Sequence, residues 1–147
     1  MSTGFYGTSS HSLDSKNRFS VPVRFKEPLK GETFILSKPL TGTKCLYLYS
    51  VEGWEEVVAR ASAFATGEYL TQIQRVMYKS VVNVTMDTQG RITIPADFCE
   101  YASLKGKIYA FGAGNRGELW NVEQFEQIGN DVADKDGNLF DFSLIGN

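Results

Sequence analysis

The 147-residue sequence contains few of the residues that build metal sites and disulfide frameworks. It has two cysteines, Cys45 and Cys99, which are far apart and in no CxxC pattern, and a single histidine, His11. These residues are too few for a structural zinc site, so we expect no bound metal. The low cysteine content is typical of a reducing compartment, and we expect a cytoplasmic protein.

Long apolar runs are also missing. No stretch reaches the ~18 consecutive apolar residues that a membrane-spanning helix needs. Residues 1–10 have neither the basic region nor the apolar region of a secretory signal. We therefore expect neither a membrane span nor a membrane partner. Hydrophobic residues make up 42% of the chain and charged residues 22%, a composition that supports a packed core.

Charge is unevenly distributed along the chain. The net charge of −2 combines a balance of +4 over residues 1–45, −1 over residues 46–114 and −5 over residues 115–147. A basic first third and an acidic tail are compatible with an anionic partner on one face only. A solvated surface without a partner is the alternative explanation.

The sequence contains an internal duplication. Residues 13–22 recur at residues 86–95 with an offset of 73, and residues 48–54 recur at residues 119–125 with an offset of 71. The two blocks keep their order, and the offset changes by two residues, as a duplication followed by one loop insertion or deletion would leave it. The chain therefore has two related halves.

Each half is predicted to contain two strands, a short helix, two more strands and a further helix. Alternating apolar and polar residues predict strands before and after a short connection, whose length favours a local hairpin. A proline then ends the strand and starts a helix, predicted over 24–29 and 96–104. Helical spacing predicts two more helices between the halves, over 54–65 and 68–80.

The connections have the sequences Asp14-Ser-Lys-Asn-Arg18 and Asp87-Thr-Gln-Gly-Arg91. Their fourth residues, Asn17 and Gly90, are of the types that best tolerate a left-handed backbone, and an aspartate in first position can accept backbone N–H groups. An arginine beside a tight turn gains little from a surface ion pair, worth ~0–1 kcal/mol. Its presence in both halves therefore favours a functional use.

This duplicated Asp-x-x-x-Arg pattern, each copy followed by an alternating strand and a proline, resembles the MraZ family. Residues 5–7 resemble the start of that family, and residues 117–120 resemble its second-half signature. Each half is similar to the SpoVT/AbrB domain. The resemblance implies an α+β, mainly β fold of tandem SpoVT/AbrB-like swapped-hairpin halves, a double-repeat β-barrel with peripheral helices. The corresponding divisions are a first domain at 5–55, a helical connection at 56–80, a second domain at 81–128 and an acidic tail at 129–147.

The resemblance also implies a function. It is that of a bacterial, nucleoid-associated regulator of the division and cell-wall gene cluster, which binds repeated DNA boxes upstream of its own operon and assembles into a ring-shaped homo-oligomer. Such a protein is not an enzyme and needs no cofactor. The sequence pI of 5.4 is low for a DNA-binding protein, but a ring would add many small basic loops on one face. The alternative is a ring-forming scaffold or protein-interaction module without DNA binding.

The expected DNA contacts lie on the two connections. The first connection has more cationic residues than the second, so we expect it to dominate DNA binding while the second serves mainly the subunit interface. Asp14, Asp87 and Gly90 are expected to shape the turns. The predicted DNA contacts are Ser15, Lys16, Asn17, Arg18, Arg24, Gln89 and Arg91.

Two further patterns bear on these hypotheses. Residues 112–117 match the dinucleotide motif G-x-G-x-x-G, but the residues that follow predict a strand and not the helix that the motif requires. We therefore predict a β-hairpin loop there and no nicotinamide enzyme. Several aromatic residues exceed what one small domain easily buries, and some of them are expected at subunit contacts. They are Tyr47, Tyr49, Trp54, Trp120 and Phe125.

Overall fold

A computed structural model describes residues 4–146 of the chain. The first three residues of the segment tested for a secretory signal, and the last residue of the predicted tail, lie outside this range. The strands are β1 (Thr8–Ser12), β2 (Arg18–Ser20), β3 (Thr33–Ser37), β4 (Leu46–Tyr49), β5 (Val81–Thr85), β6 (Arg91–Thr93), β7 (Lys107–Gly112) and β8 (Gly117–Asn121). The α-helices are α1 (Val23–Leu29), α2 (Val51–Ser62), α3 (Gly67–Lys79), α4 (Ala96–Ala102) and α5 (Val122–Glu126), and a 3₁₀ helix spans Phe142–Ile145.

The two halves share one antiparallel sheet with the strand order β1-β7-β8-β4-β3-β5. Strands β1, β3 and β4 come from the first half, and β5, β7 and β8 come from the second. Strands β2 and β6 pair separately as a two-stranded ribbon. Because β2 follows one edge strand of the sheet and β6 follows the other, the ribbon links the two edges around the core.

An approximate two-fold axis relates the halves. In the ribbon, Phe19 lies opposite Ile92, its own counterpart at the offset of 73. Where β4 pairs with β8, Tyr47 lies opposite Glu118, its counterpart at the offset of 71. When equivalent residues face each other in an antiparallel pair, a two-fold axis passes between them. The mainly β tandem fold is therefore confirmed.

The pairing within each predicted hairpin was wrong. Strand β1 pairs with β7, β5 pairs with β3, and β2 pairs with β6, so the two strands flanking each connection never pair with each other. An alternating pattern identifies a strand and its buried face but not its partner. The exchange between halves matches the swapped arrangement that the resemblance implied. The motif at 112–117 does form a hairpin, between β7 and β8.

The main core lies between the sheet and the ribbon and draws on both halves. Phe19 and Ile92 of the ribbon are completely buried there, as are Phe34 of β3 and Ile108 of β7. Because each half supplies one side of the same core, neither half can bury its apolar residues alone.

A second apolar cluster holds α2 and α3 against the sheet. It contains Tyr49 and Trp54, whose exposed fractions are only 7% and 4%. These two residues are therefore not among the aromatic side chains available for the expected subunit contacts, because their own chain covers them. The most exposed apolar residues of this region lie instead on α3 and just before it, at Phe64, Tyr69 and Val76.

The helix starts follow from local chemistry. Pro22 and Pro95 precede α1 and α4 as predicted, and each helix ends at a residue in the left-handed region, Lys30 or Ser103. Helix α2 begins three residues before its predicted start because the Ser50 hydroxyl accepts a hydrogen bond from the Gly53 N–H at 2.9 Å.

Cys45 and Cys99 are buried free thiols. Burial raises the pKa of Cys45 to about 12, so this thiol stays protonated at neutral pH. Within residues 4–146, no cluster of three or more His, Cys, Asp or Glu side chains could hold a metal ion. In the same range, no helix is both long and apolar enough to cross a membrane.

Candidate nucleic-acid interface

The first connection, residues 14–18, is organised by one carboxylate. The Asp14 Oδ1 atom accepts hydrogen bonds from the backbone N–H groups of Lys16 and Arg18, both at 2.9 Å, and its Oδ2 atom accepts from the Arg18 Nε. Asn17 adopts the left-handed conformation with φ 60°. The hydrogen bond from the Arg18 backbone is the main reason that the pKa of Asp14 lies below its usual value.

The second connection, residues 87–91, repeats this arrangement. The Asp87 Oδ1 atom accepts from the backbone N–H groups of Gln89 and Arg91, both at 2.9 Å, and its Oδ2 atom accepts from the Arg91 Nε at 3.0 Å. Gly90 takes the left-handed position with φ 76°. The backbone hydrogen bond from Arg91 is again the largest cause of the lowered pKa of Asp87.

A third copy of the turn lies in the acidic tail. The Asp134 Oδ1 atom accepts from the backbone N–H groups of Asp136 and Asn138, both at 2.9 Å, and Gly137 has φ 84°. Its sequence, Asp134-Lys-Asp-Gly-Asn138, has the same Asp-x-x-Gly-x spacing as the second connection. Because the fifth residue is Asn138, the turn forms without an arginine. A guanidinium is therefore not needed for the shape of the turn, since a longer bond from the Asn138 Nδ2 to the Asp134 Oδ2, at 3.4 Å, takes its place.

Each of the two arginines presents free donors to the solvent. Among residues 4–146, the side chains of Arg18 and Arg91 are bonded only through Nε, and their Nη atoms have no hydrogen-bond partner. The exposed fractions of these side chains are 32% and 25%. A guanidinium held in this way can donate two parallel hydrogen bonds to a planar acceptor such as a phosphate or the guanine edge. The aspartates act as positioning residues.

The two arginines lie on one face of the β2–β6 ribbon. Side chains alternate along a strand, so burial of Phe19 and Ile92 places Arg18 and Ser20 on the outer face, together with Arg91 and Thr93. A two-stranded ribbon is narrow enough to enter the major groove of DNA. We define the ribbon face as this outer surface with the two connections that flank it.

The other predicted contacts of the connections are accessible. Ser15, Lys16 and Gln89 are exposed, and Asn17 is partly buried. Ser15, Lys16 and Asn17 share the first connection with Arg18, whereas Gln89 lies on the second. The structure thus gathers the predicted contacts into two groups at the ribbon face, with Arg24 outside both.

Arg24 holds the N-terminal segment in place. Its Nε donates to the Tyr6 carbonyl at 2.7 Å, its Nη1 to the Ser9 hydroxyl at 2.7 Å, and its Nη2 to the carbonyls of Gly7 and Ala110 at 3.3 and 2.9 Å. All three nitrogens are therefore engaged within the chain. This structural use of Arg24 was not predicted, since its partners lie far away in sequence.

Lys26 is a cation that the sequence analysis missed. It lies exposed on α1, and a Cβ atom added to Gly90 would stand only 3.4 Å from its Nζ atom. The helix belongs to the first half and the turn to the second, so only the swapped packing brings them together. The repeat aligned Lys26 with Cys99 but gave no sign of this contact.

The family comparison matches nearly the whole described chain. A family model with the description "MraZ protein, putative antitoxin-like" matches residues 5–73 and 77–138. The chain belongs to the MraZ family. The two matched ranges follow the two halves, and their short gap falls inside α3.

Curated MraZ relatives cover most of the chain at moderate identity. A protein of Acetivibrio thermocellus is 37% identical over 128 residues, which are 86% of this chain and 87% of that protein. One of Clostridium acetobutylicum is 32% identical over 143 residues, which are 97% of this chain and 99% of that protein. Both are named "Transcriptional regulator MraZ". This MraZ chain is accordingly grouped with transcriptional regulators and not with enzymes.

Proposed function

We propose that this chain is a sequence-specific DNA-binding protein that uses its ribbon face to regulate the division and cell-wall gene cluster from repeated boxes upstream of its own operon. One observation carries the proposal. Two arginines, each bonded through Nε to an aspartate, lie on the outer face of one ribbon, and within residues 4–146 their Nη donors have no partner. A two-stranded ribbon fits the major groove. Association with the nucleoid in the cytoplasm would follow from such binding.

The roles of the side chains follow from their chemistry. Arg18 is the residue we assign to bidentate reading of guanine, because its free donors match the O6 and N7 acceptors. Lys16, a flexible point charge, would neutralise a phosphate. Ser15, Asn17 and Gln89 would donate to phosphates or base edges. Arg24 is not one of the proposed DNA contacts, because its guanidinium already donates to four acceptors of its own chain.

Assembly into a homo-oligomer, with a ring as the proposed form, completes the function. Each chain offers one small cationic face on a protein of net charge −2, so several faces must act together for tight binding. The exposed apolar residues Phe64, Tyr69 and Val76 provide surface that a second copy could cover.

The test compares three variants by fluorescence anisotropy on a duplex from the upstream region and on a scrambled duplex. Arg18→Ala is expected to cost about 1–3 kcal/mol on the upstream duplex and to reduce discrimination between the two. Lys16→Ala should weaken both duplexes alike and lower the slope of log affinity against log salt by about one. Asn138→Ala is the matched control, because it changes the same position in a turn that is not part of the ribbon face, and it should bind like the wild type.

The oligomeric state of each variant is first checked by light scattering. Unchanged affinity in Arg18→Ala would overturn the proposal and favour the scaffold alternative, in which the connections are only turns.

A further inference from the structure

We propose that Lys26 and Arg91 form a second phosphate-binding site at the second connection, so that one chain grips the DNA backbone on both sides of its ribbon. This inference rests on the proposed DNA binding and refines it. It replaces the expectation that the second connection serves mainly a subunit interface.

The first argument is the position of the Lys26 ammonium. Gly90 has no side chain, and a Cβ atom placed there would lie 3.4 Å from Nζ and 3.9 Å from Cε of Lys26. The ammonium therefore lies directly beside the turn that holds Arg91. Within the described part of the chain, no ion pair or hydrogen bond uses this ammonium, so its three donors are available to an anion.

The second argument comes from the approximate two-fold axis. Lys26 of α1 corresponds to Cys99 of α4. The hollow next to Asn17 is lined by Cys99 and Glu100 of that helix and by Lys105, which follows it. The first connection thus has no lysine from its neighbouring helix at the equivalent position. It carries its own lysine instead, Lys16, where the second connection has Gln89. Each connection therefore has lysine near its arginine, although the lysines come from different elements: Lys16 and Lys105 at the first connection, and Lys26 at the second.

The third argument is that both pairs flank the same ribbon. Arg18 lies opposite Thr93, and Arg91 lies opposite Ser20, so the two arginines are diagonal neighbours on one face, about 7–8 Å apart between Cα atoms. A duplex that lies on this face reaches both connections. Lys26 stands beside the turn, away from the centre of the ribbon face. A lysine in that position meets the phosphate backbone more readily than base edges.

The experiment measures binding of Lys26→Ala to the upstream and scrambled duplexes over a range of salt concentrations. We expect a several-fold loss of affinity that is equal on both duplexes, with the slope of log affinity against log salt reduced by about one. Lys26→Arg keeps the charge and should restore the slope. Lys79→Ala is the control, because Lys79 is also exposed but is distant from the second connection. The whole of the five-residue strand β5, which rises ~3.3 Å per residue, separates the two.

A crosslinking experiment reports the contact directly. A photo-crosslinking residue in place of Gln89 should label the duplex, whereas the same residue in place of Asp136, at the equivalent position of the tail turn, should not. Circular dichroism and light scattering confirm that each variant keeps its fold and its mass.

The outcomes separate this inference from the proposed function. If the wild type binds neither duplex, the proposed function itself fails. If the wild type binds, Arg18→Ala is weakened and Lys26→Ala keeps the wild-type slope, only the second phosphate site is overturned. A loss confined to the upstream duplex would also overturn it, because Lys26 would then read bases.

Discussion

Arg18 and Arg24 have the same formal charge but differ in how many of their N–H donors are used within the chain. Among the residues that the structure describes, the Arg18 side chain is bonded only through Nε, whereas Arg24 donates from all three nitrogens to Tyr6, Ser9 and other acceptors of the chain. These bonds use four of the five N–H donors of the Arg24 guanidinium, so it has little left to offer a phosphate. The availability of donors, and not the count of positive residues, decides which arginines can bind DNA.

Replacing Arg24 should therefore affect stability and not DNA binding. Arg24→Ala removes the bonds that tie residues 6–9 to α1 and β7, and we expect the free energy of unfolding to fall by about 1–3 kcal/mol. The slope of log DNA affinity against log salt should stay at the wild-type value. Urea denaturation measures the first quantity, and anisotropy at several salt concentrations measures the second.

Gly112→Ala is the control for Arg24→Ala, because it leaves the charge of the protein unchanged. A Cβ atom at Gly112 would lie 2.2 Å from the Tyr6 backbone nitrogen, so this variant also displaces the N-terminal segment. Arg24→Ala and Gly112→Ala should both have a lower free energy of unfolding and the wild-type slope of log DNA affinity against log salt. A lower slope in Arg24→Ala alone would show that Arg24 contacts phosphate, contrary to our assignment.

At the residue scale, prediction succeeded where the chemistry was local. The Asp14 and Asp87 turns span five residues each, and residue type alone indicated the left-handed fourth position and the accepting carboxylate. Arg24 and Lys26 could not be placed in this way. The Ala110 carbonyl that accepts from Arg24, and Gly90 beside Lys26, lie in the other half of the chain. The other acceptors of Arg24 are 15 to 18 residues away in its own half, and only the tertiary fold brings all of these groups near.

At the element scale, the strands were predictable and their partners were not. Alternation over residues 82–86 indicated the strand β5, which spans Val81–Thr85, but not its pairing with β3. The burial of Phe19 would be satisfied equally by a local hairpin or by an exchanged one. The observed pairing decides between them, because Phe19 lies opposite Ile92 across the approximate two-fold axis. The family resemblance contained that information, and the periodicity did not.

The exchanged strands make each half dependent on the other. In a fragment of residues 1–80, β1 and β4 lose β7 and β8, and β2 loses β6. We expect no folded monomer of this fragment at any concentration. Because the pairing is two-fold, a second copy of the fragment could replace the missing half, so any folded form should have twice the fragment mass. Circular dichroism measures whether the fragment is folded, and light scattering measures its mass, each over a wide concentration range.

Mixing this fragment with residues 81–147 provides the control. The two fragments should reconstitute a complex with the secondary structure of the intact chain. A fragment 1–80 that unfolds cooperatively as a monomer would contradict the argument that the halves share one core.

At the scale of the whole molecule, the net charge is small because positive and negative residues, concentrated in different parts of the sequence, offset each other. Residues 1–45 have a balance of +4, and residues 115–147 have a balance of −5. The tail also carries exposed apolar side chains, among them Leu144 and Ile145. A single chain therefore offers one modest cationic surface on an acidic protein. Tight and specific DNA binding requires that several such surfaces act together on repeated boxes.

This requirement predicts avidity. Light scattering should give a particle larger than a dimer, and a duplex with two boxes should bind much more than twice as tightly as a duplex with one, because the second contact is intramolecular. Insertion of about 5 bp between the boxes moves one of them by half a helical turn, and it should abolish the gain. Insertion of about 10 bp restores the rotational phase and should recover part of it. A particle of 16.4 kDa, with equal affinity per box on all four duplexes, would show that one ribbon face acts alone.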